Sequence, residues 1–253
     1  MRIVRFGLAG RVQHGIATDD GVRPLLGSPF ETTEAHATQL LPWDGIHLLP
    51  PVAPSKIVCV GRNYAAHAKE LGNEVPAEPL LFLKPPSALL PHEGRIVLPP
   101  ESARVEHEGE LGVVIGRPLR RATPSEVGKA ILGYTCCNDV TARDLQRKDV
   151  QFTRGKGFDT FAPAGPWIET DVDPADLRVQ VRVNGATRQD GRTSAMIFPV
   201  PALVAYVSSI MSLLPGDLIL TGTPEGVGPL AAGDTVEVQI EGIGTLRNTV
   251  EAA

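Results

Sequence analysis

The 253-residue sequence predicts an α+β fold that is mostly β, a mixed and strongly curved sheet system with a few peripheral helices. Three observations predict it. Glycine (26) and proline (23) make up about a fifth of the chain, against roughly 12% in average usage. The apolar residues, 42% of the total, are spread evenly, so that excess marks turns and not disorder. Most apolar runs are short and end at turn residues, the pattern of strands. Long helical bundles and coiled coils are excluded.

Taken in order, residues 12–17 and 22–25 flank Asp19-Asp20-Gly21, and Asp-Gly between apolar runs signals a hairpin. The first segment therefore reads as a small β domain, residues 1–53. It is closed by the stiff connector Pro50-Pro51-Val52-Ala53-Pro54, in which each proline fixes φ and removes a donor. Residues 54–253 form the second, larger domain. Within it, 56–61 is a short buried strand, and 64–71 makes a helical turn or two that Gly72 ends. Strands are expected at 80–84 (stopped by Pro85-Pro86), 104–115, 131–138, 179–183, 217–221 and 235–240. Helices are expected at 124–129, 142–148 and 201–214. No internal repeat or low-complexity segment interrupts this order.

The formal net charge of −5 argues against a nucleic-acid surface, which needs concentrated positive charge. Cys59, Cys136 and Cys137 are odd in number, two of them adjacent, with no C-x-x-C. They read as reduced, buried thiols and not as a disulfide framework. The first seven residues lack an apolar signal region. The uncharged run 193–216 contains Pro199, Pro201 and Pro215, leaving a helix of about 14 residues, roughly 21 Å long. A bilayer core of about 30 Å is out of its reach. The expectation is a cytoplasmic protein with no membrane or nucleic-acid partner.

Several motifs fail on context. Gly226-Val227-Gly228 is followed by a strand pattern, so no helix N-terminus is offered to a pyrophosphate. Gly155-Lys156 lacks the upstream glycine of a P-loop, no G-x-S-x-G occurs, and His107-Glu108 lacks the second histidine of a zincin.

Chemistry concentrates elsewhere. On one strand Glu106, Glu108 and Glu110 would share a face, opposite His107 and Gly109. Carboxylates about 7 Å apart beside an apolar run repel unless a positive charge stands between them, and a hard divalent cation prefers such oxygens. A solvated acidic face is the alternative. Asp139 ends an apolar strand before a short helix, as a ligand or as a helix N-cap. Arg143 and Gln146 share a helix face, where the arginine can hold a carboxylate in two-pronged fashion. His67 and Glu70 are three apart on a helical turn. They are either an ordinary surface pair or an imidazole oriented as a base for water, on a segment whose flanking glycines allow it to move as a lid. Lys156 sits between glycines, as a solvated loop charge or as a stabiliser of an anion. Thr221-Gly222-Thr223-Pro224 offers hydroxyl and backbone donors to a carboxylate.

Together these residues resemble the fumarylacetoacetate hydrolase family. The resemblance lies in Gly61-Arg62-Asn63-Tyr64-Ala65-Ala66-His67, the Glu108-x-Glu110 pair, the run from Asn138 to Gln146, Lys156-Gly157-Phe158-Asp159 and Thr221-Gly222-Thr223-Pro224, all in the family's order. Asn184-Gly185, Arg188-Gln189-Asp190-Gly191 and Met196-Ile197-Phe198 also resemble its bacterial members. The likeness covers roughly residues 55–250; the first 50 residues resemble the small leading domain of some members.

The resemblance implies a mixed β-sandwich roll, a homodimer, and one Mg²⁺ or Mn²⁺ per chain (Ca²⁺ as a substitute) held by Glu108, Glu110 and Asp139. It implies a water-activating His67–Glu70 dyad on a mobile lid. Lys156 would stabilise negative charge, helped by Arg143 and Gln146, and Thr223 would contact the substrate carboxylate. Glu106 stands where relatives often carry Asp or His, and is left outside the ligand set. The expected activity is metal-dependent hydrolysis of a C–C bond in an acylpyruvate or fumarylpyruvate-type 2-oxo acid, through its enolate. The alternatives are oxaloacetate decarboxylation or 2-hydroxyhepta-2,4-diene-1,7-dioate isomerisation at the same metal site, or a catalytically idle metal-binding dimer.

Overall fold

The run Gly109–Ile115 has no polar alternation after Glu110, and such a strand is stable only where both faces of its sheet are covered. In the computed structural model, which describes residues 1–253, it is buried along its whole length. It pairs antiparallel with Ile131–Asn138 on one side and Leu218–Leu220 on the other. Beyond Ile131–Asn138 the main sheet continues through Ala162–Glu169, Arg2–Leu8, Arg11–Thr18 and Gly21–Pro24. Beyond Leu218–Leu220 it continues through Ile57–Gly61, paired in parallel, and Leu80–Lys84.

A second sheet runs Ala186–Arg192, Arg178–Val183, Thr235–Ile240, Gly244–Ala252, Arg95–Leu98. Alternate residues of its central strands, Val179, Val181, Val183, Val236, Val238 and Ile240, are buried. They share one apolar core with Leu111, Val113 and Tyr134 of the main sheet, which makes the molecule a mixed β-sandwich. A small third sheet joins Thr141–Ala142, Val105–His107 and Gly228–Pro229. The mostly β class is as the sequence predicts, and the three cysteines are buried free thiols.

Local departures have local causes. The expected strand 104–115 is broken at Glu108 into Val105–His107 and Gly109–Ile115. There the Glu108 N–H donates to the Asn138 side chain (2.9 Å) while its carbonyl accepts from Asp139 N–H (2.8 Å). Asp139 is not a helix N-cap, because Thr141–Ala142 intervenes and the helix Arg143–Lys148 starts only after it. Gly155-Lys156 belongs to a short helix, Thr153–Lys156, and not to a loop. The helix expected at 201–214 is Val200–Ile210, since Met211 is already extended. No helix is long and apolar enough to cross a membrane.

Five longer strands escape the sequence reading: Arg2–Leu8, Arg95–Leu98, Ala162–Glu169, Ala186–Arg192 and Gly244–Ala252. Charged or polar residues interrupt most of them, and Pro163 and Pro166 disguise Ala162–Glu169. Arg2–Leu8 pairs with Ala162–Glu169 (Arg2↔Glu169, Ile3↔Ile168), so the main sheet runs through the N-terminal segment without interruption.

Asp217 secures the strand pair that leads into the site. Fully buried, its carboxylate accepts from Ser55 N–H (3.0 Å), Ser55 Oγ (2.7 Å), Lys56 N–H (3.2 Å) and Leu214 N–H (2.8 Å), and it pairs with Lys56 Nζ. This sets the register Leu218↔Ile57. Asp217→Ala strands these donors and is expected to cost about 3 kcal/mol in urea unfolding, as for other broken buried pairs. A loss below about 0.5 kcal/mol, the usual size of a surface substitution, would place the register determinant elsewhere.

Candidate active site

Two neighbouring strand ends bring three carboxylates together. Glu108 stands at the strand break, Glu110 two residues later, and Asp139 just beyond Ile131–Asn138, where Gly109 pairs with Asn138 and Glu110 with Cys137. Each offers an oxygen within 4.8 Å of the others, and all three are buried. Gly109 between them is a packing requirement: a Cβ there would meet Val181 Cγ2 at 2.3 Å. Glu106, by contrast, turns to Arg143 Nε (2.6 Å) and Arg104 Nε (2.6 Å) and is no part of the trio. The even-numbered glutamates therefore do not form one row, because the break at Glu108 interrupts the strand alternation.

Cations pin the trio. Lys156 Nζ bridges Glu108 Oε2 (2.8 Å) and Asp139 Oδ2 (2.7 Å), buried and 5.0 Å from the Phe82 ring centre. Lys84 pairs with the other Asp139 oxygen, and Arg143 with the other Glu108 oxygen. Arg143 Nη1 also donates to Gln146 Oε1 (2.6 Å). Glu110 alone has no cation of its own; its Oε2 accepts from Gly222 N–H (2.7 Å).

The electrostatics follow. Burial disfavours the charged form of Glu108, yet Lys156 and Arg143 outweigh it and hold its carboxyl well below the ordinary range. Burial opposes the charge on Lys156 as well, and Asp139 and Glu108 again prevail, raising it. For Lys84 burial wins over Asp139 and lowers it. Glu110 goes the other way: burial, then Asp139 and Glu108, push its carboxyl well above the usual range.

Two unit charges 4.8 Å apart repel by roughly 3–4 kcal/mol at an effective dielectric constant of about 20. Glu110 therefore needs either a proton or a further positive charge. The donor set is all oxygen, and a hard divalent cation meets that need. The residues fit such an ion.

His67 is buried on the short helix Ala65–Glu70, and its Nδ1 lies 3.2 Å from Glu70 Oε2. The second Glu70 oxygen accepts from Gly226 N–H (3.0 Å), tying this helix to the loop after Leu218–Leu220. Thr223 in that loop donates its hydroxyl proton to Gly109 O (2.8 Å) and accepts from Gln189 Nε2 (2.8 Å). A substrate carboxylate on Thr223 must compete with Gly109 for that proton.

A cavity of about 270 Å³ collects His67, Glu108, Glu110, Asp139, Arg143, Gln146, Lys156 and Thr223 in its lining. Glu70 stands behind His67 and outside the lining. The sequence reading missed two supports. Lys84 closes the apolar strand Leu80–Lys84 before Pro85-Pro86, where a lysine reads as a solvated end, yet it is buried. Gln189 is a buried clasp: Oε1 accepts from Gly109 N–H (2.9 Å) and faces His107 Nδ1 (3.2 Å), while Nε2 reaches Thr223 and Pro224 O (2.7 Å). It joins the second sheet to the floor of the site, and no local pattern marks that.

Comparison with known proteins gives the family. Residues 56–251 match the family model described as Fumarylacetoacetate (FAA) hydrolase C-terminal, and residues 1–51 match Rv2993c-like, N-terminal. The chain is 47% identical over 203 residues to "Oxaloacetate tautomerase FAHD1, mitochondrial" of Arabidopsis thaliana (78% of this chain, 91% of the relative). It is 40% identical over 273 residues to "2,4-didehydro-3-deoxy-L-rhamnonate hydrolase" of a Sphingomonas strain (99% and 96%). Among solved structures, 2-hydroxyhepta-2,4-diene-1,7-dioate isomerase from Mycobacterium marinum superposes with a TM-score of 0.92 at 47% identity, covering 100% of this chain and 98% of that one. With a family match across most of its length and relatives of this identity, the chain belongs to the fumarylacetoacetate hydrolase family.

Proposed function

We propose that this enzyme is a Mg²⁺- or Mn²⁺-dependent hydrolase that cleaves the C3–C4 bond of an acylpyruvate-type 2-oxo acid. One observation carries the reading: a carboxylate-oriented imidazole opens into the same cavity as the three convergent carboxylates. Glu108, Glu110 and Asp139 would hold the cation. When bound, that ion is a Lewis acid that polarises the 2-oxo acid head and stabilises the negative charge left on the pyruvate carbons.

The chain's own groups do the rest. Glu70 holds His67 Nδ1, which leaves Nε2 to take a proton from a water. The resulting hydroxide attacks the C4 carbonyl; the C3–C4 bond breaks with its electron pair going to C3, which His67 then reprotonates. Water and acylpyruvate thus become a carboxylic acid and pyruvate. Lys156 and Arg143, immobilised by their carboxylates, present fixed positive charge to the developing anion without reorganising. On the family resemblance we further propose that the enzyme works as a homodimer.

A second reading has its own support. The same imidazole can take a proton from C3 and not from water, giving tautomerisation or isomerisation, and two of the relatives above are named for such reactions. Decarboxylation of oxaloacetate uses the same residues. Products separate them. Incubation of acylpyruvates, fumarylpyruvate and oxaloacetate with Mg²⁺ or Mn²⁺, followed by NMR, is expected to yield two acids in equal amounts from an acylpyruvate. Carbon dioxide alone, or keto–enol exchange alone, would remove hydrolysis.

His67→Ala is expected to lower kcat at least about a hundredfold while calorimetric Mg²⁺ affinity stays within about threefold, since the imidazole is not among the ligands. Glu110→Gln keeps an acceptor for Gly222 N–H but loses a charge. It is expected to fold, by near-UV circular dichroism, and to lose most of the rise in Tm that Mg²⁺ gives the wild type. An unchanged rise would take Glu110 out of the ligand set.

A further inference from the structure

Two arginines line the cavity with no task in the mechanism above. Arg62 and Arg147 both stand in its wall, and neither side chain makes a hydrogen bond or ion pair with the rest of the chain. The other cations of the lining, Lys156 and Arg143, are fully engaged by carboxylates. Free guanidinium groups on a concave wall are planar, permanently charged donors, suited to a planar anion.

Their positions are informative. Arg147 follows Arg143 by four residues on the helix Arg143–Lys148, so it lies on the same face about one turn, ~6 Å, further along. Arg143 is 2% exposed while Arg147 is exposed, so the row climbs from the floor of the cavity to its mouth. Arg62 has φ = 57°, a left-handed conformation that an arginine rarely takes. The next residue enforces it: Asn63, fully buried, donates to Thr221 O (2.7 Å) and accepts from Phe198 N–H (2.8 Å). Glycine or asparagine would relieve the strain at position 62 but would bring no charge to the wall.

Charge points the same way. Around the floor, Glu106, Glu108, Glu110 and Asp139 face Lys84, Arg104, Arg143 and Lys156, four negative charges against four positive. A divalent cation would bring this to two positive charges, of which the carboxylate of a 2-oxo acid neutralises one. The two arginines at the wall then remain without any compensating anion. Leu71, Leu80, Phe82 and Phe152 add apolar surface to the lining, suited to a hydrocarbon spacer.

Resting on the 2-oxo acid reading above, we infer that Arg62 and Arg147 form a distal anion subsite, and that the substrate is a 2-oxo dicarboxylate whose far carboxylate is held at the mouth. This selects against acyl groups that end in a methyl.

Binding tests it separately from turnover. 2-Oxoadipate and 2-oxohexanoate have the same head and chain length and differ in a terminal carboxylate against a methyl. Calorimetric titration of the Mg²⁺-loaded protein is expected to show 2-oxoadipate bound at least about tenfold more tightly. Arg62→Gln and Arg147→Gln should each cut that ratio by roughly threefold to tenfold, and the double variant should abolish it. Reading a ratio cancels any general loss of affinity, and circular dichroism confirms the fold of each variant. Equal wild-type affinities, or a preference intact in the double variant, would overturn the subsite and leave hydrolysis to its own product test. Failure of both acids to bind would overturn the subsite together with the 2-oxo acid reading.

Discussion

Three carboxylates buried side by side in one pocket are the constraint on which the rest of this structure turns. Left bare, Glu108, Glu110 and Asp139 would repel one another by several kcal/mol. The fold answers with Lys156 between two of them, Lys84 and Arg143 on their outer oxygens, and a backbone N–H on Glu110. All three cations stand on Glu108 and Asp139, and Glu110 is left without one. That uneven neutralisation is what suits the site to a divalent cation, because a structural cluster would gain by being complete.

The scaffold supplies what such a cluster needs, which is rigidity. Two adjacent strand ends deliver the acids, and the break at Glu108 releases that residue from the ladder so that its side chain can meet Asp139. Gln189 reaches across from the second sheet and binds the backbone at Gly109 to the Thr223–Pro224 loop with every polar atom satisfied. The helix with His67 is held at both ends, by Asn63 before it and by Glu70 through Gly226 after it. The imidazole is thus placed by groups on three different segments. The cavity floor is consequently rigid and charged, while its mouth combines apolar surface with two unpaired arginines.

Much of this was legible in the residues. Glu108-x-Glu110, Asn138-Asp139, His67-x-x-Glu70 and Lys156 are local patterns whose spacing already suggested shared faces, and eight of the nine nominated side chains line one cavity. Other features were not legible. Lys84 ends an apolar run where a lysine reads as solvated, Gln189 lies in a polar strand, and what they bind lies 55 and 80 residues away in the chain. Strands such as Ala162–Glu169 and Gly244–Ala252 are invisible to periodicity, since prolines or interspersed polar residues mask them and only pairing across the sheet stabilises them.

By itself, then, the sequence determined the mostly β class, the turn positions, the reduced thiols and the kinds of chemical group available, because composition and short-range spacing act within a few residues. Only the tertiary structure decided which acid is left without a cation, that Glu106 turns to arginine and away from the trio, and which arginines stay unpaired. Those outcomes depend on burial and on distances between groups far apart along the chain, and Coulomb energy in a low-dielectric site depends on both.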